Sequence, residues 1–234
     1  MRDAIMRRWT IGIVAILALA LCGPAASLAA CSDYPAPGVD WSGCSKVNRL
    51  MAGDDFRNAN LTDADLSRSD LTGANFAGAN MTKIDLSRSI LSGANLAGAL
   101  LDHATLDRAD LTAADLRNAN LDRASFDRAD LTRAKLTGSH MQRAEFGRAS
   151  LVEADLSGGD LTGAFLARAD LRGANVEGAN LKNATLQLAD LRGTDLTGAL
   201  NLTSGQLEGT CGNAMTRLPQ GVAPPAAWEC SGRE

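Results

Sequence analysis

The chain has 234 residues, a formal net charge of −4 and an isoelectric point of about 5.2. Aromatic residues make up only 4% of it. This length corresponds to one structural unit, and the scarcity of aromatic residues indicates a narrow core of aliphatic side chains. The mild charge argues against a strongly acidic outer surface.

Residues 1–30 have the features of a secretory signal peptide. Three arginines among the first eight residues make the start basic, and residues 9–21 form an apolar run that is followed by small residues up to Ala30. A run this short does not span a bilayer as a mature helix. We therefore expect export to the periplasm or the medium, and an uncleaved membrane anchor is the alternative.

Two cleavage patterns overlap at the end of this segment. Residues 27–29, Ser-Leu-Ala, suit an ordinary signal peptidase, whereas residues 28–31, Leu-Ala-Ala-Cys, resemble a bacterial lipobox, which would make a lipoprotein anchored through Cys31. Ordinary cleavage is favoured because the apolar run ends well before Cys31. An intact Cys31 also leaves an even set of cysteines for an oxidising compartment. That set is Cys31, Cys44, Cys211 and Cys230.

Residues 31–53 precede a long repeat and are predicted to be its N-terminal cap. A repeat that stacks coil on coil leaves an open core and an unpaired edge at each end, and both need covering. Trp41 is the candidate lid over the core. A binding role for this tryptophan is the less favoured alternative.

Residues 54–200 carry a large apolar residue at every fifth position, from Phe56 to Leu196, and 22 of these 29 positions hold Leu. A small residue, mostly Ala, stands two positions earlier, and Asp or Asn stands directly before 19 of them. A period of five fits neither a straight helix nor a flat strand, because the Leu side chains would point in changing directions. The chain must therefore bend once per unit, with Leu and Ala inward.

A second period of 20 residues is superimposed on the first. Phe56 lies 20 residues before Phe76, and Phe126 and Phe146 have the same spacing, so we expect each pair to stack in adjacent coils. The outward positions form columns of one residue type. The arginine column is Arg68, Arg88, Arg108, Arg128, Arg148 and Arg168, and the Gly/Asn column runs from Asn58 to Gly198. Because Gly and Asn tolerate positive φ, we expect positive φ in the Gly/Asn column and negative φ at the arginines.

Units such as residues 64–68, Ala-Asp-Leu-Ser-Arg, closely resemble those of the pentapeptide-repeat family. The resemblance implies an all-β fold, a right-handed quadrilateral β-helix (a solenoid) with about seven coils and a length of ~35 Å at the usual spacing of paired strands. Among the ten exceptions in the Asp/Asn position are Ile90, Leu100, Lys135, His140 and Phe165. Among those in the Ala position are Ile84, Gly159 and Thr194.

Residues 201–234 lose the five-residue register and are predicted to be a C-terminal cap or tail. Residues 202–207 suggest a short helical turn with Thr203 or Ser204 as its N-cap. The two caps lie at opposite ends of a ~35 Å rod, whereas bridged Cα atoms must lie within ~7 Å. We therefore expect local disulfides, one joining Cys31 to Cys44 and one joining Cys211 to Cys230.

No pattern in the sequence is typical of a catalytic, cofactor or metal site. The two histidines, His103 and His140, lie in different outward columns, and the hydroxyl residues stand at outward turn positions. The glycines follow the 20-residue period, so they predict turns rather than a phosphate-binding loop. We therefore expect a protein that is not an enzyme and has no cofactor, metal or small-molecule substrate.

The arginine column has two interpretations. Like charges stacked at strand spacing repel each other, and the favoured interpretation is a solvated ladder of ion pairs with nearby carboxylates. Those carboxylates are Asp70, Asp107, Asp110, Asp127, Asp130, Asp170 and Asp190. The second interpretation is an anion-binding stripe for an envelope polyanion, such as the phosphates of lipopolysaccharide or the carboxylates of a cell wall.

The expected function is that of an exported scaffold with a structural role or a protein partner, without direct binding of nucleic acid. Some members of the family that it resembles mimic the phosphates of DNA and protect gyrase from quinolone drugs. That role needs a strongly acidic face and a cytoplasmic address, so DNA mimicry is an alternative. The sequence predicts neither the identity of the partner nor the oligomeric state.

Overall fold

The computed structural model describes residues 31–226 and Trp228. From residue 36 to residue 200 the chain is a succession of tight turns and single-residue parallel β-bridges. One short 3-10 helix follows, Ser204–Leu207. The pairing is therefore made by isolated residues at regular intervals rather than by long strands.

Each five-residue unit has the same construction. In the unit that begins at Leu71, the Leu71 carbonyl accepts a hydrogen bond of 3.0 Å from the N–H of Ala74, which closes a turn over Thr72 and Gly73. Leu71 and Ala74 are both fully buried, and the fifth residue, Asn75, makes the β-bridge. The bend in every unit keeps Leu and Ala pointing inward, as the sequence predicts.

The bridges have the 20-residue spacing of the outward columns. From Asp40–Asn60 to Asn180–Leu200, every bridge is parallel and joins residues that are 20 positions apart. Two kinds of backbone hydrogen bond support each bridge. Leu66 donates to the Asp85 carbonyl at 2.8 Å, and Asp85 donates to the Ala64 carbonyl at 2.9 Å. Each coil thus contains four turns and is hydrogen-bonded to the coils on both sides.

The turn-and-bridge pattern begins inside the segment that was predicted to be an N-terminal cap. Its first unit starts at residue 36, and its first bridge joins Asp40 to Asn60. In these first units Trp41, Lys46 and Met51 occupy the position that usually holds Leu. The apolar signal is diluted there, so the sequence alone placed the start of the repeat about one coil too late.

Trp41 closes the N-terminal end of the core. Its side chain is 1% exposed and packs edge-to-face on Phe56, with ring centroids 5.3 Å apart. The Lys46 ammonium lies 4.1 Å from the centroid of the Trp41 ring and donates a hydrogen bond to the Cys31 carbonyl. The predicted disulfide between Cys31 and Cys44 is present and holds residues 31–35 near this end.

The core stacks identical side chains from adjacent coils. The rings of Phe56 and Phe76 are 4.9 Å apart and 3° from parallel, and those of Phe126 and Phe146 are 4.9 Å apart and 5° from parallel. Both stacks were predicted from the 20-residue spacing and are confirmed. Hydroxyl groups at Ala positions bond backbone carbonyls: Ser89 donates to the Leu86 carbonyl of its own turn at 2.6 Å, and Thr194 donates to the Leu171 carbonyl of the preceding coil at 2.7 Å.

The C-terminal tail continues the last coil with inserted residues. Asp190 bridges to Cys211 and Asp195 to Arg217, spacings of 21 and 22 residues instead of 20. The insertion contains the 3-10 helix, whose N-cap is Thr203, one of the two predicted residues. Gln206 accepts a 3.0 Å hydrogen bond from the Thr203 N–H, and its amide nitrogen donates to two carbonyls of the preceding coil. The tail therefore covers that end of the stack.

The prediction of two turn geometries is wrong. All six residues of the arginine column have positive φ, between 57° and 62°, and in the Gly/Asn column it is Gly198 that lies outside the left-handed region. The third residue of nearly every turn is left-handed, whatever its side chain. Hydrogen bonds to the next coil fix the path of the turn, so the backbone preference of arginine, ~1–2 kcal/mol against this region, is overridden.

We predict that Leu111→Asp unfolds the rod. Leu111 is fully buried among side chains that offer no partner for a carboxylate, and an unpaired buried charge costs several kcal/mol. Thermal unfolding followed by circular dichroism tests this. A melting temperature equal to that of the wild type would show that the side chain does not point inward.

We predict opposite effects of glycine at two positions in different turns. Arg88 has φ of 59°, so Arg88→Gly relieves backbone strain and should leave the free energy of unfolding within about 0.5 kcal/mol of wild type, or raise it. Ala97, the second residue of its turn, has no such strain, and Ala97→Gly should cost about 0.5–1 kcal/mol. Chemical denaturation measures both, and the reverse order would contradict the turn geometry.

Candidate functional site

The interior of the rod is filled by packed side chains, so the candidate functional groups are sought on the outer surface. In the described part of the chain, the inward Leu and Ala positions are almost completely buried and pack against each other. No group of three or more His, Cys, Asp or Glu residues among residues 31–226 is placed to hold a metal ion. The same residues contain no helix with the length and apolar character that crossing a bilayer requires.

The two histidines are separate and take part in different local contacts. His103 is a turn residue, and its Nδ1 lies 2.7 Å from the Asp102 carboxylate on an exposed edge. His140 lies in a bridge column between Asn120 and Asp160, also exposed. The fold therefore does not bring them together into an acid–base pair.

The Asp/Asn column has a structural role that the sequence analysis missed. In most units the side-chain oxygen accepts a hydrogen bond from the N–H two residues later, at the start of the next turn. Asp70 accepts in this way from the Thr72 N–H at 3.0 Å and from its hydroxyl at 2.6 Å, and these bonds lower the pKa of Asp70. Ser or Thr two positions after Asp or Asn was the signal for this local motif.

Four arginines outside the arginine column form the strongest ion pairs, each with the Asp two residues earlier. They are Arg57, Arg117, Arg172 and Arg192. Arg117 donates from Nε to one oxygen of Asp115 at 2.8 Å and from Nη2 to the other at 2.6 Å. The side-chain hydrogen bond from Arg117 is the main reason that the pKa of Asp115 lies below its usual value. Burial raises the pKa of Asp190, but hydrogen bonds from Arg192 outweigh it and the net shift is downward.

The arginine column, in contrast, is almost free of ion pairs. Its six residues are exposed, and within 4.0 Å only Arg128 meets an acidic oxygen in the described residues, that of Asp127 at 3.6 Å. The predicted ladder therefore does not form. Its carboxylates are engaged elsewhere: Asp110 accepts from the Thr112 N–H, and Asp107 accepts from Ser125 and from the Asp127 N–H. Among the described residues, no carboxylate oxygen lies within 4.0 Å of the other five arginines of the column, which are Arg68, Arg88, Arg108, Arg148 and Arg168.

The C-terminal part of this column adjoins an apolar surface. Phe165 replaces the usual Asp or Asn and is 46% exposed. It lies over Gly147, where a Cβ atom would be 3.4 Å from its ring. Phe165 shares a shallow concavity with the exposed Arg148 and Arg168 and the half-buried Leu188. We call these four residues the Phe165 patch.

The cysteines are placed partly as expected. Cys31 and Cys44 are joined, with Cα atoms 5.5 Å apart. Cys211 is also disulfide-bonded, and its predicted partner, Cys230, lies outside the described residues. The predicted signal peptide, residues 1–30, also lies outside them.

We predict that the free energy of unfolding falls in acid, because hydrogen-bonded carboxylates such as those of Asp115 and Asp160 become protonated. The folded pKa values of Asp115 and Asp160 lie below 3.8, the value of an unperturbed Asp. Their contribution is therefore complete above that pH and is lost as the pH falls through the folded pKa. Each contributes less than about 1 kcal/mol after solvent screening.

The control is the double variant Asp115→Asn, Asp160→Asn. Asn occurs naturally in both columns and accepts the same backbone N–H, as Asn60 and Asn75 do. This variant should be less stable near neutrality and lose less stability than the wild type between about pH 5 and pH 2. Parallel stability curves for the two proteins would contradict the assignment.

Comparison with known structures places this fold among proteins of similar construction. Two trypsin-treated forms of QnrB1, a plasmid-mediated fluoroquinolone resistance protein, match with TM-scores of 0.65 and 0.62 at 20% identity. The matches cover 76% and 73% of this chain and 90% and 91% of theirs. HetL, a pentapeptide repeat protein from the cyanobacterium Nostoc sp., is 26% identical over 83% of this chain and 93% of its own, with a TM-score of 0.41.

The match to a family model identifies the family more directly than these similarities to solved structures do. No curated protein matches the chain. The model of pentapeptide repeats matches eight copies, which together extend from residue 55 to residue 211. The similar solved structures imply that the stacked coils form a right-handed β-helix. The chain belongs to the pentapeptide-repeat family.

Proposed function

We propose that this protein is an exported, non-catalytic scaffold that binds a protein partner in the cell envelope through its outer surface. The coils would have a quadrilateral cross-section, since each contains four turns, and would present four flat faces along the rod. A surface of this kind displays side chains at fixed intervals. Such surfaces suit extended contacts with another macromolecule.

The observation that carries the proposal is the Phe165 patch. Phe165 gives up the side-chain hydrogen bond that Asp or Asn supplies in other units, a loss of about 1 kcal/mol, and exposes an aromatic ring to solvent. Arg148 and Arg168 flank it, and neither has a carboxylate oxygen within 4.0 Å among the described residues. Exposed aromatic and arginine side chains are the residues that dominate the energy of protein–protein contacts.

The proposed export has support from the first disulfide. Cys31 uses its sulfur to bond Cys44, and lipidation would consume the same atom. A disulfide also persists best in an oxidising compartment. Both points favour ordinary signal cleavage and a soluble periplasmic or secreted protein over a lipoprotein.

Two alternatives rest on separate observations. The unpaired arginines favour an envelope polyanion as a ligand of the arginine column. The likeness to QnrB1 favours DNA mimicry, although the carboxylates of this chain are largely bonded to backbone N–H groups and arginines. If the arginine column binds a polyanion, the protein should be retained on heparin, and the double variant Arg88→Gln, Arg108→Gln should be retained less. If the protein mimics DNA, its expression in the cytoplasm should decrease the quinolone susceptibility of the cells.

The test of the main proposal is chemical cross-linking of the exported protein in intact cells. Phe165→Thr should abolish the cross-linked species and preserve the fold, because Thr105 and Thr185 occupy the same column. The matched control is Leu100→Asn, which removes another exposed apolar residue from a column that contains Asn80 and Asn120. Equal cross-linking by the wild type and Phe165→Thr would contradict a partner on this patch.

A further inference from the structure

At the N-terminal rim of the β-helix, several backbone N–H groups have no partner among the described residues. In later coils each bridging residue donates its N–H to a carbonyl 21 positions earlier, as Asp65 does to Cys44. Ser45, Leu50 and Asp55 are the bridging residues of the first coil on three of its sides. Their N–H groups find no acceptor among the described residues, which contain no earlier coil on these sides. An unpaired edge of this kind can pair with another chain.

Apolar side chains surround the same rim. Leu50 and Tyr34 are each 88% exposed. Leu50 stands at the head of a column in which most later residues are Asp, so its position is not an inward one that happens to be uncovered. It shares an open concavity with Tyr34, Trp41 and Lys46 at the end of the rod.

The two ends of the rod differ, and the difference limits how two copies can associate. The C-terminal end is covered by the 3-10 helix and the tail, with Gln206 bonded to the carbonyls of Leu181 and Ala184. Stacking of one copy's rim on another copy's tail end is therefore blocked. If two copies associate through this edge, both must use the N-terminal rim, which gives a closed pair instead of a filament.

We propose that two copies of this chain associate head to head through their N-terminal rims. The charges of the rim are self-complementary, since the concavity is lined by Lys46 and Arg49 and also by Asp33 and Asp54. A two-fold arrangement sets the basic residues of one copy against the acidic residues of the other. Leu50 and Tyr34 are buried in the contact, and rim backbone groups of one copy pair with those of the other.

The test is sedimentation velocity of the full-length gene product, expressed with its own leader and purified after export. The wild type should be a dimer that dissociates on dilution. Leu50→Asp should weaken dimerisation at least tenfold, about 1.4 kcal/mol, because it places a carboxylate in the apolar part of the contact.

The matched control is Ile90→Asp, because Leu50 and Ile90 belong to the same column, two coils apart. Both substitutions introduce the residue that this column usually holds, whose carboxylate can bond the N–H two positions later, as in Asp70. Both variants should therefore keep the circular-dichroism spectrum of the wild type, and Ile90→Asp should remain a dimer.

Three results would overturn the proposal. The wild type could sediment as a monomer at every concentration, as expected if another segment or partner covers the rim. Leu50→Asp could dimerise as tightly as the wild type. Ile90→Asp could weaken the dimer as much as Leu50→Asp, which would place the contact on the side of the rod.

Discussion

Backbone hydrogen bonds between adjacent coils are the constraint on which the rest of this structure depends. Each bridging residue donates to a carbonyl 21 positions earlier, and the following inward residue donates to one 19 positions later. These two bonds fix the 20-residue repeat and leave little freedom for the turns. These backbone hydrogen bonds override the conformational preferences of the turn residues. Arg88 and Arg108 adopt a left-handed φ like that of Gly98, because another turn geometry would move the next bridging residue out of register.

The inward half of this architecture could be predicted from the sequence because a single periodic signal specifies it. The five-residue register of Leu identified the buried positions, and the spacing of Phe56 and Phe76 identified their stacking. The start of the repeat was missed because Lys46 occupies a Leu position. Its ammonium instead covers Trp41, a tertiary contact that no periodicity reveals.

The outward half could not be predicted in the same way, because an exposed side chain has several partners within reach. Asp110 was expected to pair with the arginine column, but it accepts a hydrogen bond from the N–H of Thr112 at 2.9 Å instead. Arg117 likewise pairs with a close neighbour in the chain, Asp115, two residues earlier. Of the Phe165 patch, the sequence identified Phe165 only as an exception in the Asp/Asn position, since its proximity to Arg148 and Arg168 depends on stacking across coils.

The stacked-coil structure is tested most directly by measuring the distance between two spin labels placed along the arginine column. The positions are exposed, so Arg68→Cys and Arg168→Cys can be labelled without disturbing the core. These residues are five coils apart, which predicts about 24 Å between the backbone sites, and moving the first label to Arg88 should shorten the distance by about 4.8 Å. A separation that does not change by one strand spacing for each 20 residues would contradict the stacked-coil structure.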